Sequence, residues 1–174
     1  MSKIVALRSG GQSGADRGSM DAARRCGVCV EGWCPAGGWA EDYPDPPGVL
    51  ALYPELNETP SRDVLQRTEW NIRDSTCCVV LNTPGRGASP GTDAGYVFNE
   101  KYGIPHLEIE VGGERSVEEQ LEDACEWLRA FEDDAIVLGF GGPRESEFPG
   151  IYEIAFSVAE ALLKEFASNG GSSI

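Results

Sequence analysis

Short apolar runs that alternate with helical patterns constrain the fold of this chain more than any other feature of its sequence. Five such runs occupy residues 4–7, 28–32, 76–81, 106–111 and 135–139. Apolar residues at helical spacing follow the last run, in a stripe formed by Ile151, Ile154, Ala155, Val158, Leu162 and Phe166. Strands that alternate with helices form parallel sheets with right-handed crossovers. The sequence therefore predicts an α/β fold, a Rossmann-like parallel sheet of about five strands with helices on both faces.

Capping signals predict where several of the helices begin. The first helix is predicted over residues 13–26, whose small side chains suit close packing on a sheet. Ser61 is predicted to be the N-cap of a helix over residues 62–74, because serine favours that position. Ser116 and Glu119 have the spacing of a capping box, which predicts a further helix after them.

A long segment between the second and third runs lacks any periodicity. Residues 33–60 contain six of the 11 prolines of the chain and the aromatic residues Trp33, Trp39, Tyr43 and Tyr53. Segments of this length without regular structure are uncommon in compact domains and often carry function. Two interpretations stay open, a functional segment or a surface excursion packed by its own aromatic side chains.

The length of 174 residues fits one domain. We predict a single Rossmann-like ligand-binding domain over residues 1–167 and a flexible Gly/Ser-rich tail over residues 168–174. No apolar run approaches the length that a membrane span needs, and residues 1–8 are too short and polar for a secretion signal. The sequence therefore predicts a cytoplasmic protein whose cysteines are reduced thiols.

The charge balance limits the partners of such a protein. Its 14 Lys and Arg residues face 29 Asp and Glu residues, which gives a formal net charge of -15. So acidic a surface is poorly suited to duplex nucleic acid or an anionic membrane, and we expect neither as a partner. An anion would have to be bound locally, by N–H groups and a few arginines.

The loop of residues 9–17 connects the first run to the first predicted helix. Its glycines permit a tight turn and a close approach of a ligand to the backbone. The first N–H groups of a helix are unpaired and its dipole favours a negative group there, so the loop is a candidate phosphate cradle. It is neither a GxGxxG nor a Walker A motif. Glu31 lies near the ribose-binding position of dinucleotide folds, whereas a plain tight turn is the alternative.

A second glycine loop, residues 85–93, follows the third run. Thr92 fits either the N-cap of the next helix or a hydroxyl donor to a ligand. Arg67 and Arg73 precede this run and could clamp an anion, or could instead pair with neighbouring carboxylates. The two loops flank one crevice if residues 76–81 lie beside residues 4–7.

The sequence assigns no catalytic or metal-binding residue. The sequence offers few residues that could form a nucleophile–base pair, because His106 is the single histidine and is predicted to be structural. Cys26 and Cys29 form a CxxC without a second such pair, so a four-ligand structural site is hard to assemble.

Several longer motifs resemble those of one known family, the molybdenum carrier proteins. They are Gly10-Gly11-Gln12-Ser13-Gly14-Ala15-Asp16-Arg17, Gly32-Trp33-Cys34-Pro35, Ala40-Glu41-Asp42, Glu58-Thr59, Arg67-Thr68-Glu69-Trp70-Asn71-Ile72-Arg73-Asp74-Ser75 and Gly142-Pro143-Arg144-Glu145-Ser146. The resemblance extends over nearly the whole chain. It implies a carrier that binds molybdenum cofactor (molybdopterin) or a related phosphorylated ligand as cargo, and a homo-oligomer, a dimer or tetramer.

That family is similar in fold to lysine-decarboxylase-like phosphoribohydrolases, whose Pro-Gly-Gly-x-Gly-Thr-x-x-Glu motif carries a catalytic Glu. Gly95 stands where that Glu would be, which favours binding over hydrolysis. Asp93 or Glu100 could substitute for it. A phosphoribohydrolase-like enzyme acting on nucleoside monophosphates and a nucleotide-sensing domain therefore remain alternatives.

These observations give one set of candidate binding residues. The phosphate would rest at the start of the first helix, and Trp33 and the residues after it would close over a flat ring system. The set comprises Gly10, Gly11, Gln12, Ser13, Gly14, Asp16, Arg17, Trp33, Arg67, Asn71, Arg73, Gly91, Thr92 and Asp93.

Overall fold

The computed structural model describes residues 3–167, and the predicted tail lies outside them. Within the described residues, five parallel strands form one sheet in the order β2-β1-β7-β5-β6. They are β1 Ile4–Arg8, β2 Cys29–Glu31, β5 Cys77–Asn82, β6 His106–Glu110 and β7 Ile136–Gly141. The predicted Rossmann-like α/β fold is confirmed.

Within residues 3–167, five α-helices connect and flank these strands. They are α1 Ala15–Arg25, α2 Val64–Arg73, α3 Pro90–Tyr102, α4 Val117–Arg129 and α5 Ile151–Phe166. Helix α1 packs on α5, α4 also contacts α5, and α2 packs on α3. None of the helices described is long and apolar enough to cross a membrane.

The order of the strands corrects one expectation. Strand β7 pairs with both β1 and β5, so residues 76–81 do not lie beside residues 4–7. The chain builds β1 and β2 on one side, β5 and β6 on the other, and inserts β7 between them. The crevice of such a sheet lies outside the carboxyl ends of the strands, where the strand order switches. Here that point has three glycine turns rather than two, because the turn after β7 lies between the others.

The caps of two helices also differ from the predictions. Asp63, rather than Ser61, caps α2, since its side chain accepts a hydrogen bond from Leu65 N at 2.9 Å. Ser89, rather than Thr92, caps α3. The capping box at the start of α4 is confirmed. In both corrected cases a competing residue of the same capping class stands within three positions, and the backbone conformation decides between them.

The segment of residues 33–60 folds against the domain with little regular structure. It contains strands β3 Trp33–Cys34 and β4 Asn57–Glu58, which pair with each other in parallel, and a short 3-10 helix, Gly48–Ala51. Val49 and Tyr53 are buried members of the hydrophobic core. The segment is therefore an integral part of the packed domain.

Candidate functional site

A cavity of about 100 Å³ lies at the switch point of the sheet. The turns after β1, β5 and β7 all contribute to its wall, through Gly10, Gly91 and Gly142. The glycine turns are thus brought to one cavity, as expected, although their strands are ordered differently.

Helices α2 and α3 form one side of this cavity through stripes of residues at helical spacing. Val64, Thr68 and Ile72 of α2, at i, i+4 and i+8, face it. Gly91, Gly95 and Asn99 form the matching stripe of α3. Strands β5 and β7 contribute the opposite wall, with residues Cys78, Val80, Gly139 and Gly141. The cavity therefore begins at the carboxyl edge of the sheet and continues into the space between the sheet and helices α2 and α3.

Buried polar atoms without a hydrogen-bond partner cluster around this cavity. Among the described residues, seven buried side-chain atoms have none, and five of these belong to residues that line the cavity. The five atoms are Arg8 Nε, Gln12 Nε2, Arg67 Nε, Asn99 Oδ1 and Glu147 Oε2. Leaving a buried donor or acceptor unpaired costs about 1–3 kcal/mol. Such a cluster in one place is what a binding site for a polar ligand requires.

The charges on the cavity wall differ in balance from those of the whole chain. Three arginines, Arg8, Arg67 and Arg144, line it together with the carboxylates Asp16 and Glu147. Asp16 is only 6% exposed and accepts a hydrogen bond from Arg67 Nη1 at 2.8 Å. The other two arginines also face a carboxylate, since Arg8 pairs with Glu31 at 3.0 Å and Arg144 with Glu147 at 3.5 Å, so the wall is close to charge balance in a protein with a net charge of -15. The wall can therefore hold a negatively charged group.

The side-chain amide of Gln12 is held through its oxygen, and its nitrogen has no hydrogen-bond partner. Its Oε1 accepts hydrogen bonds from Ser13 N at 3.0 Å and from Glu41 N at 2.9 Å. These two donors identify that atom as the oxygen, so the other amide atom is the NH₂ group. Gln12 is 4% exposed and its Nε2 has no partner. The geometry presents a preorganised donor at the cavity.

At the start of α1, two of the N–H groups that the sequence predicts to be open are already paired. Ala15 N donates to Pro143 O at 3.1 Å, and Arg17 N donates to Gln12 O at 3.2 Å. Gly14 lies against the same turn, since a Cβ there would be 2.6 Å from Pro143 O. The turn after β7 thus covers this helix end. The amides of Ala15 and Arg17 are therefore not available to a ligand.

Comparison with known proteins decides the family. The model of the circularly permutated YpsA SLOG family matches residues 7–163, which is most of the chain. The chain belongs to the circularly permutated YpsA SLOG family. A solved structure similar to this SLOG member is that of a protein named "putative molybdenum carrier protein" from Syntrophus aciditrophicus SB. The TM-score is 0.75 and the sequence identity 28%, over 93% of this chain and 96% of that chain.

The comparison with curated proteins finds no match. The resemblance to molybdenum carrier proteins that the sequence motifs carry is confirmed by the SLOG family match together with the similar structure.

Half of the candidate binding residues of this SLOG protein line the cavity. These are Gly10, Gln12, Asp16, Arg67, Asn71, Gly91 and Thr92. The Thr92 hydroxyl donates to Ser89 Oγ at 2.8 Å, so it is engaged within the turn. Asn71 bonds through both amide atoms to the backbone of Trp33, at 2.8 and 2.9 Å. Asn71 therefore holds the wall in place.

The other candidates lie outside the cavity wall. They are Gly11, Ser13, Gly14, Arg17, Trp33, Arg73 and Asp93. Arg17 pairs with Asp42, and Arg73 pairs with Asp74 at 2.6 Å. The Trp33 ring packs edge-on against Trp70, with ring centroids 4.9 Å apart, and its Nε1 donates to Asp74 at 2.8 Å. These contacts are internal to the fold of this SLOG protein.

Other wall residues escaped the sequence reasoning. Arg8 ends an apolar strand and pairs with Glu31 at 3.0 Å, which gives Glu31 a structural role near the site. Arg144 follows the third glycine turn, within a motif that carries the family resemblance, and that motif was the available signal. Asn99 stands eight residues after Gly91 on α3, a spacing that marks one helix face once the glycine is known to face the site.

Proposed function

We propose that this SLOG protein binds a small molecule carrying an oxyanion in the cavity, and that it is a carrier whose cargo is molybdenum cofactor or a related phosphorylated ligand. The observation that carries the proposal is the cluster of unpartnered buried donors, Arg8 Nε, Gln12 Nε2 and Arg67 Nε. Three N–H donors around one space suit the oxygens of a phosphate or similar group. The name of the similar structure supports molybdenum as part of the cargo.

The size of the cavity limits how such a cargo would sit. About 100 Å³ is less than the volume of roughly 150 Å³ that takes up a benzene molecule in an engineered protein cavity. The phosphate group fits the donor set, but the enclosed space does not contain a whole pterin. Gln12 and Arg67 would hold the phosphate at the edge of the sheet, one edge of the cargo would enter the cavity, and the rest would extend from it.

Binding is favoured over hydrolysis by the positions of the carboxylates. Gly95, at the place of the phosphoribohydrolase Glu, is buried in the cavity wall. Asp93 accepts hydrogen bonds from Gly87 N at 3.0 Å and from Asn82 Nδ2 at 3.2 Å, so it serves the loop. Glu100 is exposed. Neither substitute for the missing Glu lines the cavity.

Isothermal titration calorimetry with inorganic phosphate and with molybdate tests the proposal. The Gln12→Glu variant keeps an oxygen for Ser13 N and Glu41 N but replaces the free donor by an acceptor. Losing a hydrogen bond to a charged group costs about 1.5–3 kcal/mol, so we expect anion affinity to fall by at least tenfold. Arg73→Ala is the matched control, since Arg73 lies outside the wall, and its affinity should equal that of the wild type.

Native mass spectrometry of protein purified anaerobically then asks for the cargo itself. A retained phosphate-bearing or molybdenum-bearing mass supports the carrier. Absence of anion binding in wild-type protein would overturn the proposal. Release of a base from nucleoside monophosphates, abolished in Asp93→Ala, would replace the carrier by the hydrolase.

A further inference from the structure

Asn99 is the unpartnered acceptor on the helix side of the cavity. Its Nδ2 donates to Gly95 O at 3.0 Å, so this atom is the nitrogen and the other is the oxygen. Asn99 is 2% exposed, and its Oδ1 has no partner. The other polar side chains of the same wall are engaged, since Ser75 donates to Asn71 O and Thr68 to Val64 O. A buried carbonyl oxygen left over in this wall calls for a donor from a ligand.

The position of Asn99 separates it from the donors. Helix α3 starts at the carboxyl edge of the sheet, where Gln12 also lies, and Asn99 is nine residues beyond Pro90. At 1.5 Å per residue this is roughly 13 Å along the helix axis. The cavity therefore has donors at the edge of the sheet and an acceptor further along α3.

Glycines keep the space between these two groups open. A Cβ at Gly141, on β7, would meet no atom within 4 Å, and its backbone does not have a positive φ. Gly95, one turn before Asn99 on α3, would place a Cβ 3.4 Å from Ile72 Cδ1. The remaining wall is apolar, with Ile72 and Val80 on opposite sides. An uncharged part of a ligand can enter here, whereas an oxyanion would lack partners.

We propose that Asn99 is a specificity-determining residue, whose Oδ1 accepts a hydrogen bond from an N–H or amino group at the uncharged end of a ligand held by Gln12 and Arg67 at its anionic end. This inference rests on the proposed function, and it names the ligand class as a phosphorylated heterocycle with a donor edge. The enclosed volume of about 100 Å³ admits such an edge rather than a complete bicyclic ring. The protein then selects ligands that carry this donor group, because a ligand without it would leave Asn99 Oδ1 unpaired.

Calorimetry with four probes tests this assignment: inorganic phosphate, phenyl phosphate, and 3- and 4-aminophenyl phosphate. We expect one amino isomer to bind about three- to tenfold more tightly than phenyl phosphate, the gain typical of one hydrogen bond. Asn99→Leu removes the acceptor at similar volume, so phenyl phosphate and the favoured amino isomer should then bind equally. Asn57→Leu is the matched control, because it makes the same exchange at an exposed residue outside the cavity wall, and it should retain the gain.

A second variant keeps the test valid if Asn99→Leu does not fold. Gly141→Ala fills the space from the sheet side, so the ring phosphates should lose affinity while inorganic phosphate keeps it. Phosphate binding without any gain from an amino group, or a gain that survives in Asn99→Leu, overturns the assignment but leaves the proposed function standing. If the wild-type protein does not bind phosphate at all, the proposed function itself is wrong, and the assignment of Asn99 that rests on it is wrong as well.

Two natural sources share this chemistry, the phosphorylated pterins and the nucleoside monophosphates. Titration with 6-hydroxymethylpterin monophosphate and with guanosine monophosphate distinguishes them. The source whose affinity falls at least threefold in Asn99→Leu and is unchanged in Asn57→Leu is the ligand class. If neither falls, the role of Asn99 is refuted.

Discussion

The guanidinium of Arg67 occupies the space that a side chain at position 10 would need. A Cβ at Gly10 would lie 1.9 Å from Arg67 Nη1 and 3.0 Å from Asp16 Oδ2. The absence of a side chain at Gly10 therefore lets Arg67 reach Asp16 and lie against the first glycine turn.

Gly10→Ala is expected to displace Arg67 from the cavity. The end of an arginine side chain can move, but this one would leave a buried ion pair, so we expect a stability loss of about 1–3 kcal/mol and at least tenfold weaker phosphate binding. Urea unfolding and calorimetry measure the two effects. Gly27→Ala is the control for binding, because Gly27 lies outside the cavity wall and a Cβ there meets nothing within 4 Å, so its phosphate affinity should equal that of the wild type. Equal phosphate affinity in Gly10→Ala and wild type would contradict the role of Arg67.

Gly14→Ala and Gly27→Ala form a matched pair at positive φ, with φ of 78° and 69°. Both substitutions strain the backbone, but a Cβ at Gly14 would lie 2.6 Å from Glu145 N and Pro143 O, whereas one at Gly27 would meet nothing within 4 Å. We expect Gly27→Ala to lower the free energy of unfolding by about 1–2 kcal/mol. Gly14→Ala should lower it by about 1 kcal/mol more or beyond, because its Cβ also overpacks the turn after β7. Urea unfolding measures both. Equal losses of stability in the two variants would mean that the turn after β7 moves to make room for the Cβ of residue 14 without a cost in free energy.

Asn71 joins α2 to the segment of residues 33–60 through its two bonds to the Trp33 backbone. Asn71→Leu leaves a backbone N–H and a carbonyl unpaired, so we expect a loss of about 2–4 kcal/mol in the free energy of unfolding. The exposed Asn57→Ala is the control, expected to stay within about 0.5 kcal/mol of wild type. A small loss in Asn71→Leu would show that water replaces both bonds.

The Asp74 carboxylate should make stability depend on pH in the acid range. The hydrogen bond from Arg73 lowers the pKa of Asp74 below its ordinary value of 3.8, burial opposes this, and the bond from Trp33 adds to the lowering. The resulting stabilisation is present above pH 3.8 and is lost as the pH falls through the lower folded pKa. Asp74→Asn should therefore lower the urea midpoint near neutral pH, and the two proteins should converge once the pH has fallen below the folded pKa of Asp74. A constant difference would contradict this.

Local patterns predicted the elements of the fold but not their order across the sheet. Apolar runs mark β1, β5 and β7 because buried parallel strands need them. Which strands pair depends on how the crossovers pack, and no residue near Ile4 signals that Ile136 will lie beside it.

The same limit applies to the site. Gly10 and Gln12 could be found from the sequence because a glycine turn after a strand is a recognisable signal. Local reasoning predicted open N–H groups at Ala15 and Arg17, and for these two residues the prediction was wrong. The N–H group of Ala15 donates to Pro143 O, more than 120 residues away in the sequence, which no local pattern signals. Asn99 carries no motif, and its role depends on which atom of its amide Gly95 engages.

The two sides of the sheet are anchored unequally. Helix α5 buries a long apolar stripe, including Ile151, Leu162 and Phe166, whereas α2, described over its whole length, buries Asn71 alone. Segments with little buried apolar surface open at lower free energy than the rest of a domain. Amide hydrogens of α2 should accordingly exchange with solvent sooner than those of α5, and a ligand bound beneath α2, as the proposed function requires, should slow the exchange of α2 selectively.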